Sequence, residues 1–187
     1  MNTRRGFAAD SSAATTSSAG RVWRRTLGLA AGVALATGAL LGTAVAPAQA
    51  YSPLPTHTIN YRDTDNCPCS ISDPFDGTYF EKDAGGYAAK VNLYYGGSYI
   101  AKVEFHPYAE KLWVYDTKND GDGIYAEAWW FDGSGAYHST GLVQPTGTSS
   151  VIDYKIVDLG IAEGTYVYID VYDASRDSWL TTAEVIA

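Results

Sequence analysis

Cationic side chains are scarce after residue 50, where eight Lys and Arg face 20 Asp and Glu, a formal charge of 8 − 20 = −12. Nucleic-acid binding draws its free energy from cations that release condensed counterions, so that class is excluded. Anionic lipid surfaces and wall polymers are disfavoured on the same electrostatic ground. Histidine is sparse as well: His57, His106 and His138 stand far apart without metal-ligand spacing, and the two cysteines cannot complete a zinc shell alone. No stretch carries an apolar face at 3.6-residue spacing, which argues against helices. The nearest approach to a nucleophile elbow, Gly133-Ser134-Gly135, lacks the required spacing and reads as a turn.

What the chain does have begins with an amino-terminal segment of export type. Arg4, Arg5, Arg21, Arg24 and Arg25 precede an Ala, Gly, Leu and Val run from Leu27 to Val45, and Ala48-Gln49-Ala50 supplies the small-x-small pattern that a signal peptidase accepts. Cleavage after Ala50 is expected. An uncleaved anchor is the alternative, but the Gly and Thr content and the Ala-x-Ala site argue against it. Arg24-Arg25 also fits twin-arginine export, less well than general secretion given Trp23 and the residues that follow the pair. The expectation is therefore a secreted, extracellular protein with no membrane association after cleavage.

Removing residues 1–50 leaves 187 − 50 = 137, enough for one domain with one core. Residues 51–77 carry Pro53, Pro55, Pro68 and Pro74 and read as an extended lead-in. From residue 78 to 187, short alternating runs separated by Gly and Asp predict strands at 87–95, 98–105, 111–115, 124–131, 151–157, 165–172 and 179–185. Gly96-Gly97 joins the first two as a tight hairpin. Seven or eight short strands with frequent turns predict an all-β fold, a single antiparallel β-sandwich.

Cys67 and Cys69 flank Pro68, and in an oxidising compartment they are expected to pair. A bridge over so short a ring is read as a strained local clip, with an intermolecular bridge or a redox-active pair as the alternatives.

Two features carry binding chemistry. Asp116, Asn119, Asp120 and Asp122 crowd oxygen ligands into a glycine-containing loop, which suits calcium; the spacing departs from the twelve-residue helical loop, and Asp with Gly is also the ordinary vocabulary of a tight turn. All 15 tyrosines and four of the five tryptophans follow residue 50. Alternation places Tyr166, Tyr168, Asp170 and Tyr172 on the face opposite Val167, Ile169 and Val171, a surface suited to stacking on sugar rings, with Asp170 accepting from their hydroxyls. Cross-strand aromatic ladders that only stabilise the sheet are the competing explanation. Trp129 and Trp130, as neighbours, must point to opposite faces, so only one of them can enter a two-layer core.

Leu112-Trp113-Val114-Tyr115-Asp116, followed by the Asp120-Gly121 turn and the strand from Ile124, resembles the small secreted proteins of actinobacteria, Streptomyces in particular. The resemblance implies an exported all-β domain and supplies no catalytic residue. The functional expectation is a non-catalytic module presenting a tyrosine-rich face to an extracellular glycan or surface. A structural or inhibitor-like protein-interaction domain is the alternative. A small hydrolase ranks last, since 137 residues leave little room for a deep cleft. No cofactor other than calcium is implied.

Overall fold

The computed structural model describes residues 50–118, 120–146, 151–174 and 176–187; the expected export segment, save Ala50, lies outside the described residues, as does Asn119. The protein is all-β. Its strands are β1 (Thr56–Asp63), β2 (Cys69–Ile71), β3 (Thr78–Phe80), β4 (Tyr87–Tyr95), β5 (Ser98–His106), β6 (Lys111–Asp116), β7 (Ile124–Phe131), β8 (Tyr137–Ser139), β9 (Asp153–Asp158), β10 (Tyr166–Asp173) and β11 (Trp179–Ile186). A single 3-10 turn, Thr64–Asn66, is the one helical element among the described residues.

Nine strands form one curled antiparallel sheet in the order β8-β7-β10-β11-β4-β5-β6-β9, with β1 beside β4. β2 and β3 pair separately. Aliphatic residues alternate along the strands because a strand turns successive side chains to opposite faces. Val91, Val103, Phe105, Leu112 and Val114 thus meet Ala126, Ala128, Val167, Ile169, Val171 and Val185 in one core between two layers. The sheet turns where β11 and β4 are joined by the single pair Ile186 and Tyr87, which sets β1, β4, β5, β6 and β9, the first layer, apart from β11, β10, β7 and β8, the second. Trp130 packs against this core while Trp129 turns outward, as neighbours on a strand must.

The expected hairpin is present. Gly96 and Gly97 have φ of 57° and 81°, the paired left-handed conformation of a two-residue turn that matches strand twist. Part of the lead-in, by contrast, joins the sheet: Thr56 to Asp63 pair with Tyr94 to Tyr87 of β4. The prolines that suggested an irregular segment all lie outside this stretch, at 53, 55, 68 and 74, so nothing in it interrupts the ladder.

Residues 64–77 of the lead-in lie over the outer face of the first layer. Cys67 and Cys69 are joined as a disulfide, and Cys67 buries with Phe80 and Ala88 in a small second cluster. Thr64 fastens the segment through its amide and hydroxyl, which donate to Gly86 O at 3.1 and 2.8 Å.

Gly86 is needed for its lack of a side chain. A Cβ there would stand 2.6 Å from Pro107 Cβ and from Thr64 Oγ1, and 2.7 Å from Asp83 Oδ2. The proline ring cannot swing away, so Gly86→Ala is expected to cost about 1–3 kcal/mol. Gly133→Ala, where nothing lies within 4 Å, is the control. Thermal unfolding of both variants checks this: equal melting temperatures would contradict the close approach at Gly86.

Candidate functional site

The outer face of the second layer is a ranked set of aromatic rings. Register places Phe131 opposite Tyr137, Trp129 opposite both Ser139 and Tyr168, and Trp130 opposite Val167, so Tyr166 comes level with Phe131 at the end of the ladder. Tyr137, Phe131 and Tyr166 are 57, 54 and 56 % exposed, a row of open rings across three strands. Behind them Trp129 and Tyr168 stack at 4.2 Å with planes 15° apart. Phe131, Tyr166 and Tyr168 also line a shallow groove of about 360 Å³ with Asp132 and the backbone at Gly133 and Gly164.

One rung further on the face turns acidic, with Asp170 level with Glu127 and Thr182. Asp170 Oδ2 accepts from Trp129 Nε1 at 2.8 Å and from Tyr172 OH at 3.4 Å, while Oδ1 accepts from the Thr182 hydroxyl. These donors from β7 and β11 and from its own strand hold Asp170 against Trp129, Thr182 and Tyr172, while the carboxylate stays partly exposed. Glu127 is occupied likewise, by Arg176 at 2.8 Å and by the Ser139 hydroxyl. Tyr172 lies on the expected face but is only 8 % exposed, so its ring has no face to offer. Burial, then the charges of Asp170 and Glu127, push its hydroxyl above the usual phenol range.

Of the four residues singled out by alternation, the structure brings all onto one face, leaves Tyr166 open and Tyr168 and Asp170 partly open, and buries Tyr172. Phe131 and Tyr137 are the additions that alternation along one strand could not supply. The turn that delivers Tyr137 is built on Asp132, whose Oδ1 accepts from the amides of Ser134 and Ala136 at 2.8 and 3.0 Å, and whose Oδ2 meets His138 Nε2 at 2.9 Å. Gly133-Ser134-Gly135 is the link between β7 and β8.

The acidic loop closes on itself. Asp116 Oδ1 accepts from Lys118 N at 2.8 Å, Asp120 Oδ1 from Asp122 N at 3.1 Å, and Asp120 Oδ2 from Tyr51 OH at 3.1 Å. Among the described residues no group of three or more His, Cys, Asp or Glu side chains converges at metal-binding separation. Burial holds the Asp116 carboxyl up at about 6, with the charges of Asp120, Asp153 and Asp122 adding to it against the pull of the Lys118 amide.

A second polar centre lies on the outer face of the first layer, beneath the lead-in. Lys102 Nζ is caged by Asp76 Oδ1 at 2.6 Å, Gly77 O at 2.7 Å, Glu104 Oε1 at 2.8 Å and Asp73 Oδ2 at 3.0 Å, with the Tyr115 ring 4.4 Å away. Lys90 Nζ shares Asp73 Oδ2 at 2.6 Å. Glu104 also accepts from the Thr78 hydroxyl and faces His106 Nε2 at 3.0 Å. Thr78, Glu104, His106, Lys111, Trp113 and Tyr115 border an adjoining cleft of about 390 Å³. Its central carboxylate is saturated by protein partners, which makes this centre a clamp on the lead-in.

No protein-family model, curated protein or solved structure matches the chain.

The clamp sets an acid limit on stability. Burial works to raise the carboxyl of Glu104, but the His106 hydrogen bond and the Lys102 charge outweigh it; at Asp73 the hydrogen bonds from Lys90, Phe75 N and Lys102 do the same, so both carboxyls titrate below the usual range. A folded-state value below the unfolded one means stability present above about pH 4 and lost as pH falls through the depressed values. Lys102, raised because Glu104, Asp76 and Asp73 together outweigh burial, loses its share only above its ordinary value of 10.5. Urea unfolding from pH 6 to 2 is expected to show a steep fall for the parent chain and a shallower one for Glu104→Gln, which begins less stable; parallel curves would contradict the depressed Glu104 value.

Proposed function

We propose that the protein is an exported, non-catalytic binding module that takes a neutral extracellular glycan on the aromatic face of β7, β8 and β10. The observation that carries this reading is the row Tyr137, Phe131 and Tyr166, each more than half exposed and backed by the stacked Trp129–Tyr168 pair. A soluble domain seldom leaves contiguous rings in water unless they meet a partner. The C–H face of a pyranose is apolar and weakly positive, and an aromatic ring presents a negative π face to it. A charge of −12 after residue 50 favours an uncharged polymer over an anionic one.

The division of labour follows from the geometry. Tyr166, Phe131 and Tyr137 carry the stacking, Tyr168 contributes its open part, and Asp170 positions Trp129 beneath them. The tyrosine hydroxyls, with the backbone at Gly133 and Gly164 along the groove, supply the polar contacts that fix a sugar's orientation.

Sedimentation of the secreted protein with cellulose, chitin, xylan and purified bacterial cell wall tests the reading. One neutral polymer is expected to deplete the protein from solution. Tyr166→Ala or Phe131→Ala should weaken that binding by about tenfold, the weight of one stacked ring. Tyr154→Ala, an exposed ring on the other layer, should leave it unchanged. Failure of every polymer to deplete the protein would overturn the glycan reading.

A further inference from the structure

Tyr51 is tied into the fold more firmly than a chain end requires. Its ring belongs to the main core and lies 4.7 Å from that of Tyr95, and its hydroxyl donates to Asp120. Its backbone nitrogen stands 2.8 Å from Asp173 Oδ2, across 122 positions of sequence. Ala50, one residue earlier, is at the surface.

Asp173 closes β10 at 0 % exposure, and its Oδ1 has no hydrogen-bond partner among the described residues. The charges that reach Tyr51 and Asp173 from the β6–β7 loop are those of Asp116, Asp120 and Asp122, all of the same sign. A carboxylate buried beside other acids and met by a single neutral N–H is poorly compensated. Burial, with Asp122 adding to it, accordingly pushes the Asp173 carboxyl up to about 6 against the pull of the Tyr51 amide. An α-ammonium at the same nitrogen would bring three hydrogens and a positive charge to a buried acid that is met by neither among the described residues. The bond whose hydrolysis creates that ammonium is Ala50–Tyr51, directly after Ala48-Gln49-Ala50.

We propose that Asp173 is the receptor for the α-ammonium of Tyr51, so that peptidase cleavage after Ala50 exchanges an amide contact for a buried ion pair. In the cleavage, water adds across the peptide bond: its oxygen completes the Ala50 carboxylate, and the released Tyr51 amine takes up a proton. Processing and the locking of the β10 end to the start of the domain are then a single event. The site is independent of what the aromatic face binds.

Two measurements test this. Mass spectrometry of the secreted protein is expected to give Tyr51 as its first residue; a different first residue would overturn the proposal. All described strands and core residues lie within residues 51–187, so chains beginning at Tyr51 and at Ala50 are compared directly by thermal unfolding at pH 7. The Tyr51 chain is expected to melt on the order of 5 °C higher, and Asp173→Asn should erase the difference. Should the Asn variant not fold, an α-acetylated Tyr51 chain replaces it and is expected to melt with the Ala50 chain. Equal melting of the two parent chains, a gap that survives Asp173→Asn, or an acetylated chain that keeps the higher value would each overturn the proposal.

Discussion

Backbone pairing along β4 is the constraint on which both layers depend, because its nine residues serve three neighbours. β5 runs along one edge and β1 along the other, and Tyr87 at its start bridges Ile186 of β11, where the sheet passes into its second layer. Inward, Ala89, Val91 and Leu93 enter the main core. Outward, Ala88 and Lys90 meet the lead-in. A strand in this position must be apolar on one side and selectively polar on the other, and Tyr-Ala-Ala-Lys-Val-Asn-Leu-Tyr-Tyr satisfies both.

The two outer faces resolve the same problem in opposite ways. On the first layer a fully buried Lys102 is compensated by three carboxylates, two of them from the segment laid over the sheet. An ammonium of this kind is costly without such partners and selects one placement of the covering chain with them. On the second layer nothing in the described chain covers the rings. Its polar groups, Asp170 and Glu127, are spent laterally on neighbouring strands, which fixes the rings from beneath and leaves their faces open. One face is closed by charge and the other held open by it.

Period-2 alternation made seven of the eight long strands legible, and their ends shift by no more than two residues. β2, β3 and β8 hold three residues each, too few for a period to show. β1 was hidden for a different reason: none of its residues is buried, so its Thr, His, Asn and Arg gave no apolar rhythm, and its pairing comes entirely from β4. Tyr166 and Tyr168 were readable from β10 alone. Phe131 and Tyr137 were not, because cross-strand register is a property of three segments at once. The same limit explains Asp170: its isolation in a row of tyrosines suggested a free acceptor, whereas the donors that occupy it arrive from β7 and β11. Glu104 stands two residues on from Lys102, but nothing local marked that lysine as buried, since its other two acids, Asp76 and Asp73, lie 26 and 29 positions earlier.

The sheet path ends on β8 and β9, and a bare sheet edge is a template for another chain. β8 exposes only three residues of ladder, held at a turn that Asp132 organises. β9 carries Asp153, Lys155 and Asp158 within its six residues, so a second copy aligned along it would set charge against charge in a molecule already strongly anionic. These two ends of the sheet path are thereby poor templates for a further strand, so the broad aromatic surface lies beside edges that do not invite another chain to pair.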